Sequence, residues 1–178
     1  MAFSTRQTRR WGLRRGTTSL RRCAPMVRPL AKMTSFRVRR PGPEDSLDET
    51  LGLACRLAAA TPYYCSLSFI EVESWLAHAA RHERIAFAHD ETDKPTAFVT
   101  WAHLAPDVVW RFQRWGRAWI HESEWNEGEA LWIIDCASLH GRTLRAARAF
   151  RRSLFPGVPV AFMRWDRHTP QGRASLQP

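Results

Sequence analysis

Asp135 stands in the run Leu131-Trp132-Ile133-Ile134-Asp135-Cys136. Strand alternation puts it on the same face as Leu131 and Ile133. A carboxylate taken out of water is costly unless it is paired or has a task. Two readings stand: the strand ends at Ile134 and Asp135 caps a turn, or the carboxylate is placed to handle a proton or a cation. Among the histidines, His103 has the setting closest to such a task, on the strand face of Trp101; a polar strand end is the alternative. His78, His82, His89, His121 and His140 show no partner pattern. Tyr64 lies in Pro62-Tyr63-Tyr64-Cys65, where aromatics can pack between helices. The four cysteines, Cys23, Cys55, Cys65 and Cys136, form no CxxC pair and no zinc spacing. They read as free thiols of a reducing cytosol, and nothing beside Cys65 or Cys136 would activate a thiolate. Arg145, Arg148 and Arg152 make a basic stripe at helical spacing, either a solvated face or a surface that steers an acidic partner.

The elements that must position these residues follow from periodicity. Ser46 with Glu49, and Ser68 with Glu71, are capping-box pairs. The first opens a helix with Leu47, Leu51, Ala54 and Ala58 on one stripe, stopped by Thr61-Pro62. The second opens a helix with Val72, Trp75, Leu76 and Ala79 buried. Strands are predicted at Ile85–His89 and Thr96–Leu104, joined across a polar loop at Asp90–Pro95 as a hairpin. On the second of them Val99, Trp101 and His103 share one face, and Phe98, Thr100, Ala102 and Leu104 the other. A helix follows over Ala105–Gly116, then a tryptophan-rich stretch, a strand at Ala130–Cys136, a helix over 142–154 and a strand at Val158–Trp165. In that last helix Leu144, Ala147, Phe150 and Leu154 are expected to face the core. Strands and helices in this mixed order predict an α+β fold, a central sheet covered by helices.

Charge divides the chain. Residues 1–40 hold 12 of the 27 Lys and Arg and no acid, which leaves 15 basic and 17 acidic groups, a net of −2, for residues 41–178. We read 1–40 as a basic disordered arm or sequence upstream of a true start at Met26 or Met33, 41–166 as the folded domain, and 167–178 as a polar tail. A mitochondrial-type targeting peptide and a polyanion-binding tail are the other readings of the arm. The folded part lacks the basic face that a nucleic-acid binder needs. No apolar run is long enough to span a membrane, and the cytoplasm is the expected compartment.

Several motifs, taken in order, carry a family resemblance. Glu124-Trp125, Gly128, Leu131-Trp132-Ile133-Ile134-Asp135, Ala137 and Gly141 resemble the E-x-W-x-x-G-x-x-x-W-[IF]-I-D-W-x-A-P block of the RTX toxin-activating lysine acyltransferases. Pro95, Ala97, Thr100-Trp101-Ala102 and Leu104 resemble that family's P-V-A-Y-C-S-W-A-x-L strand. Leu51-Gly52, Leu57 and Thr61-Pro62 resemble its L-G-x-x-x-x-L-x-x-x-S-P helix, and Phe155-Pro156 and Arg164 fit later positions. The likeness runs from about Leu51 to Asp166.

The resemblance implies an acetyltransferase-like (Gcn5-related) α+β fold. It also implies a donor, acyl carrier protein bearing an acyl-phosphopantetheine, with no bound cofactor and no metal. The acceptor it implies is a lysine of an RTX protoxin. Asp135 takes the place of the family's catalytic aspartate. The catalytic histidine of the family's S-P-x-H motif is replaced by Tyr64. A histidine with a pKa near 6.5 suits deprotonation of an amine, whereas tyrosine, near 10, is a poor base. Tyr64 would then protonate the departing thiolate while Asp135 or a water takes the amine proton, or His103 substitutes, or the protein binds acyl carrier protein or toxin without catalysis. Trp101, His103 and Arg164 are the expected substrate contacts, with Trp101 lining the acyl pocket. Acyl carrier proteins are acidic, so the stripe Arg145, Arg148 and Arg152 is a candidate docking helix. Family members continue past the last recognisable strand, where this chain stops at Pro178; that difference leaves a homodimer open. Two further classes compete. A coenzyme A-dependent acetyltransferase needs a glycine-rich pyrophosphate turn, and His140-Gly141-Arg142 holds a single glycine. A nucleic-acid binder would have to act through the arm.

Overall fold

The computed structural model describes residues 35–61, 64, 67–116, 120–164 and 173–177. Cys23, Cys65 and most of the basic arm lie outside them. Strand β1 is Arg37–Arg39, helix α1 Leu47–Ala59, α2 Phe69–Arg81, β2 Ile85–His89, β3 Pro95–Leu104, α3 Pro106–Trp115, β4 Ala130–Ser138, α4 Thr143–Leu154, β5 Val160–Arg164 and β6 Arg173–Gln177. The two serine caps work as the sequence predicts: in both boxes the serine hydroxyl accepts the third residue's N–H and the glutamate reaches back to the cap. Each box satisfies amide donors that a helix start otherwise leaves orphaned.

The six strands form one sheet in the order β1-β2-β3-β4-β5-β6. All neighbours are antiparallel except β4 and β5, which are parallel and are joined by the crossover helix α4. The fold is therefore the expected α+β arrangement, a mixed sheet flanked by helices. The sheet extends beyond residues 41–166 at both ends. β1 lies within the span read as an arm, and β6 within the span read as a tail. Both were hidden because each is a short edge strand rich in charged or polar residues, the composition that protects a sheet edge and erases the alternation that betrays a strand.

Two cores lie on opposite sides of the sheet. On one, α1, α2 and α3 cover Phe98, Ala102, Leu104, Trp132, Ile134 and Ala137, with Tyr64 among them. On the other, Ala146 and Phe150 of α4 cover Ala86, Ala88, Val99, Trp101 and Leu131. The face assignment for β3 follows the strict two-residue period. In α4 the packed residues are Ala146, Ala149 and Phe150, with Leu154 at the margin, whereas Leu144 is 64% exposed. The buried stripe runs through Ala146, Ala149 and Phe150, and Leu144, two residues before Ala146, falls on the opposite face at about 100° per residue. No helix among the described residues is long and apolar enough to cross a membrane.

Candidate functional site

The site begins with an irregularity in β4. Opposite β3, the register runs Phe98 to Ala137, Val99 to Cys136 and Thr100 to Asp135, and then jumps to Trp101 opposite Ile133. Ile134 is the extra residue of a β-bulge. Bulges bend a strand and re-aim the side chain beside them. Regular alternation would have sent Asp135 to the α4 side with Leu131 and Ile133. The bulge sends it to the other side, opposite Thr100, whose same-face neighbours Phe98 and Ala102 pack under α1 and α2. The expected face of Asp135 is corrected by this single inserted residue.

β5 pairs with β4 only at Trp132 with Ala161 and Ile133 with Phe162. Among the described residues, then, pairing on that edge stops at the residue before the bulge. The backbone of Asp135–Ala137 is laddered to β3. Asp135 is half-buried, and one of its carboxylate oxygens accepts the Cys136 N–H at 2.9 Å. Burial, with the Asp135 charge beside it, pushes the Cys136 thiol well up. Cys136 is thus a protonated packing group and no nucleophile. Burial likewise raises Cys55.

Tyr64 is 5% exposed and reaches the same layer. Its ring centroid lies 6.2 Å from that of Phe98 and 6.4 Å from that of Trp75. Phe98 and Thr100 are successive residues of one strand face, about 7 Å apart, so Tyr64 packs one step along the sheet from the Thr100–Asp135 pair. Tyr64 Oη, Thr100 Oγ1 and Asp135 Oδ2 are all buried atoms of this layer. Tyr64 and Asp135 thus lie on the same side of the sheet, and Thr100, which the sequence reading treated as one residue of a strand face, is paired directly with Asp135.

Of the expected substrate contacts, Trp101 and His103 face the other side of the sheet. Trp101 is fully buried in the α4 core. It meets Phe155 edge-on at 5.4 Å, and the Arg40 guanidinium lies 5.1 Å from its ring centroid. Alternation along β3 explains this: Trp101 follows Thr100 by one residue and must face the other way. His103 shares the Trp101 face. It is half-buried, and burial first and then the Arg84 charge hold its imidazole below the ordinary histidine range. Arg164 ends β5, paired with Arg173. The stripe Arg145, Arg148 and Arg152 also belongs to the α4 side, where it lines a cleft of about 310 Å³ with Ser35, Phe36 and Ala149. It does not border Asp135. Among the described residues no three His, Cys, Asp or Glu side chains form a metal-binding group.

The upstream motif residues serve the scaffold. Glu124 accepts a short hydrogen bond from Arg111 of α3, and its backbone partner is His121 N–H at 2.8 Å. Trp125 is completely buried. Gly128 passes so close to β3 that an added Cβ would lie 2.0 Å from the Leu104 carbonyl, and its N–H donates to His103 O at 2.9 Å. Trp132 meets Phe112 edge-on at 5.7 Å. Together these contacts dock α3 and the start of β4 just ahead of the bulge.

Comparison with known proteins agrees with the motifs. The model of the RTX toxin acyltransferase family matches residues 44–177. That match sets the class first, an acyltransferase. Within it, the chain belongs to the RTX toxin acyltransferase family, the one its motifs resemble. No curated protein matches. Among solved structures, an acetyltransferase of the GNAT family from Listeria monocytogenes 4b F2365 is similar at 12% identity, over 75% of this chain and 78% of that one, with a TM-score of 0.44.

Proposed function

We propose that this protein transfers a fatty acyl group from the phosphopantetheine thioester of acyl carrier protein to a lysine ε-amine of an RTX protoxin. The observation that carries the reading is the β4 bulge, which turns Asp135 to the side of Tyr64. The β4 edge beside Asp135, which is not paired with β5 among the described residues, supports it as well: an extended donor arm that carries amides can lie along a strand edge as a peptide does.

The chemistry is written with these residues. A lysine side chain reaches the site as an ammonium, since its ordinary pKa is near 10.4; Asp135 attracts and orients it. The fraction that loses a proton to solvent attacks the thioester carbonyl and forms the C–N bond. The tetrahedral nitrogen is then far more acidic, and Asp135 accepts its proton. The C–S bond breaks as Tyr64 Oη gives its proton to the departing thiolate. Products are the amide and the free thiol, and Tyr64 regains its proton from Asp135 through solvent.

Intact-mass measurement with acyl-loaded acyl carrier protein and a lysine-bearing RTX acylation-site fragment tests this. The native protein adds one fatty acyl mass, and Asp135→Asn abolishes the addition. Full activity in Asp135→Asn would remove the assigned site. A second reading, a family member that binds carrier protein or toxin without catalysis, is favoured by the buried packing of Tyr64 on Phe98 and Trp75. It predicts that only Tyr64→His transfers the acyl group.

A further inference from the structure

Thr100 is the fully buried residue directly opposite Asp135. Its hydroxyl is buried and makes no hydrogen bond among the described residues. The residues around it on β3 are Phe98, Val99, Trp101 and Ala102, all wholly or almost wholly buried. Valine has the same branched shape and would fill this place without the penalty of a buried, unused hydroxyl. A hydroxyl kept there is expected to have a partner in some working state. Directly opposed strand residues hold their Cβ atoms about 4.5–5.5 Å apart, so the Asp135 carboxylate lies one side-chain rotation from Thr100 Oγ1.

We propose that Thr100 is a positioning residue for Asp135: its hydroxyl donates a hydrogen bond to the carboxylate and holds it in the orientation that meets the incoming amine. Thr100 is too deeply buried to touch substrate, so it acts through Asp135 alone. In the present structure Asp135 leans on the Cys136 N–H instead. The switch between the two donors gives the carboxylate a resting and a working orientation. This inference rests on the acyltransferase reading for its consequence in catalysis, but not for the contact itself.

The test compares Thr100→Val and Thr100→Ser with the native protein. A crystal structure of the native protein with the lysine-bearing RTX fragment bound reads the contact directly: Thr100 Oγ1 should lie within about 3.2 Å of an Asp135 carboxylate oxygen, and Thr100→Ser should keep that contact. In the acylation assay Thr100→Val should lower kcat about tenfold with KM little changed, while thermal stability holds or rises because the unused hydroxyl is gone. A Thr100 hydroxyl still turned away from Asp135 in that complex shows a structural role alone and overturns the proposal whatever the assay gives. If the contact forms but no protein transfers acyl groups, Thr100 keeps its role and the acyltransferase reading is what fails.

Discussion

Replacing Gly128 by alanine should destabilise the protein severely, while the same change at Gly52 should help it. At Gly128 an added Cβ would lie 2.0 Å from both C and O of Leu104 and 2.2 Å from Ala105 N. Non-bonded carbon atoms rest about 3.5–4.0 Å apart, so the loop would have to retreat from β3 by about 1.5 Å. It is not free to do so. Trp125 is wholly buried three residues earlier, and Asn126 accepts the Arg84 guanidinium at 2.6 Å and bridges to His103. Retreat also breaks the Gly128 N–H bond to His103 O. Overpacking costs about 1–3 kcal/mol and a lost hydrogen bond about 1 kcal/mol, a total of about 2–4 kcal/mol. With a urea slope of about 2 kcal/mol/M, the middle of the range for small proteins, the denaturation midpoint should fall by about 1–2 M. Gly52 lies in α1 with nothing within 4 Å of its added Cβ, and alanine there should gain about 0.5–1 kcal/mol from helix propensity. Equal midpoints for native protein and Gly128→Ala would refute the close-approach account, and a loss at Gly52 would show that the helix assignment is wrong there.

Two pH effects follow from the same region. The Arg111 hydrogen bond, helped by the His121 N–H, holds the Glu124 carboxyl below its ordinary value of 4.5. Its contribution is present above that value and lost as pH falls through the lowered one. Urea midpoints measured downward from pH 5 should thus drop less steeply in Glu124→Gln than in the native protein; identical slopes would show that the pair does not stabilise the fold. His78 is the converse case for a base. Burial holds its imidazole below 6.5 and outweighs the Glu122 carboxylate 3.4 Å away, which favours the charged form. Folding then prefers neutral His78, and this preference is lost as pH falls from about 6.5 through the lowered value. The native midpoint should decline between pH 7 and 5, the decline should shrink in His78→Gln, and an unchanged decline in that variant would assign it to another group.

How much of this was legible in the sequence depends on whether a residue obeys its local period. α1 and α2 were readable because Ser46 and Ser68 announce their caps and the apolar stripes behind them keep helical spacing. β3 was readable down to its two faces, since ten residues of unbroken alternation leave no choice. β1 and β6 were not, because a strand such as Arg37–Arg39 carries one apolar residue and gains its identity only from pairing with Ala88 and its neighbours. The site was legible in its residue types and illegible in its geometry. Asp135 stands out in an apolar run, yet its face depends on the extra residue Ile134, and an inserted residue in an all-apolar segment leaves no trace in composition. Trp101 went to the wrong layer of the expected site for the same reason: with Asp135 placed on the Ile133 face, the Trp101 face was the consistent choice.

The bulge also explains how the family's motif block divides its labour. Glu124, Trp125, Gly128 and Trp132 secure α3 and the start of β4 against β3, ahead of Ile134. Asp135 comes immediately after, where among the described residues the ladder to β5 has ended and β3 holds the strand. A carboxylate there is fixed by a rigid neighbour, the preorganisation an enzyme needs to hold a charge. Tyr64 belongs to the same layer. As a buried aromatic it packs on Phe98 and Trp75, so one side chain serves the core as well as the site proposed for it. Tyr64→His puts a base with a pKa near neutrality in that place and removes part of a ring contact in the core. It should lower the urea midpoint under either reading, while acyl transfer by the native protein supports the proposed mechanism and transfer by Tyr64→His alone supports the non-catalytic one.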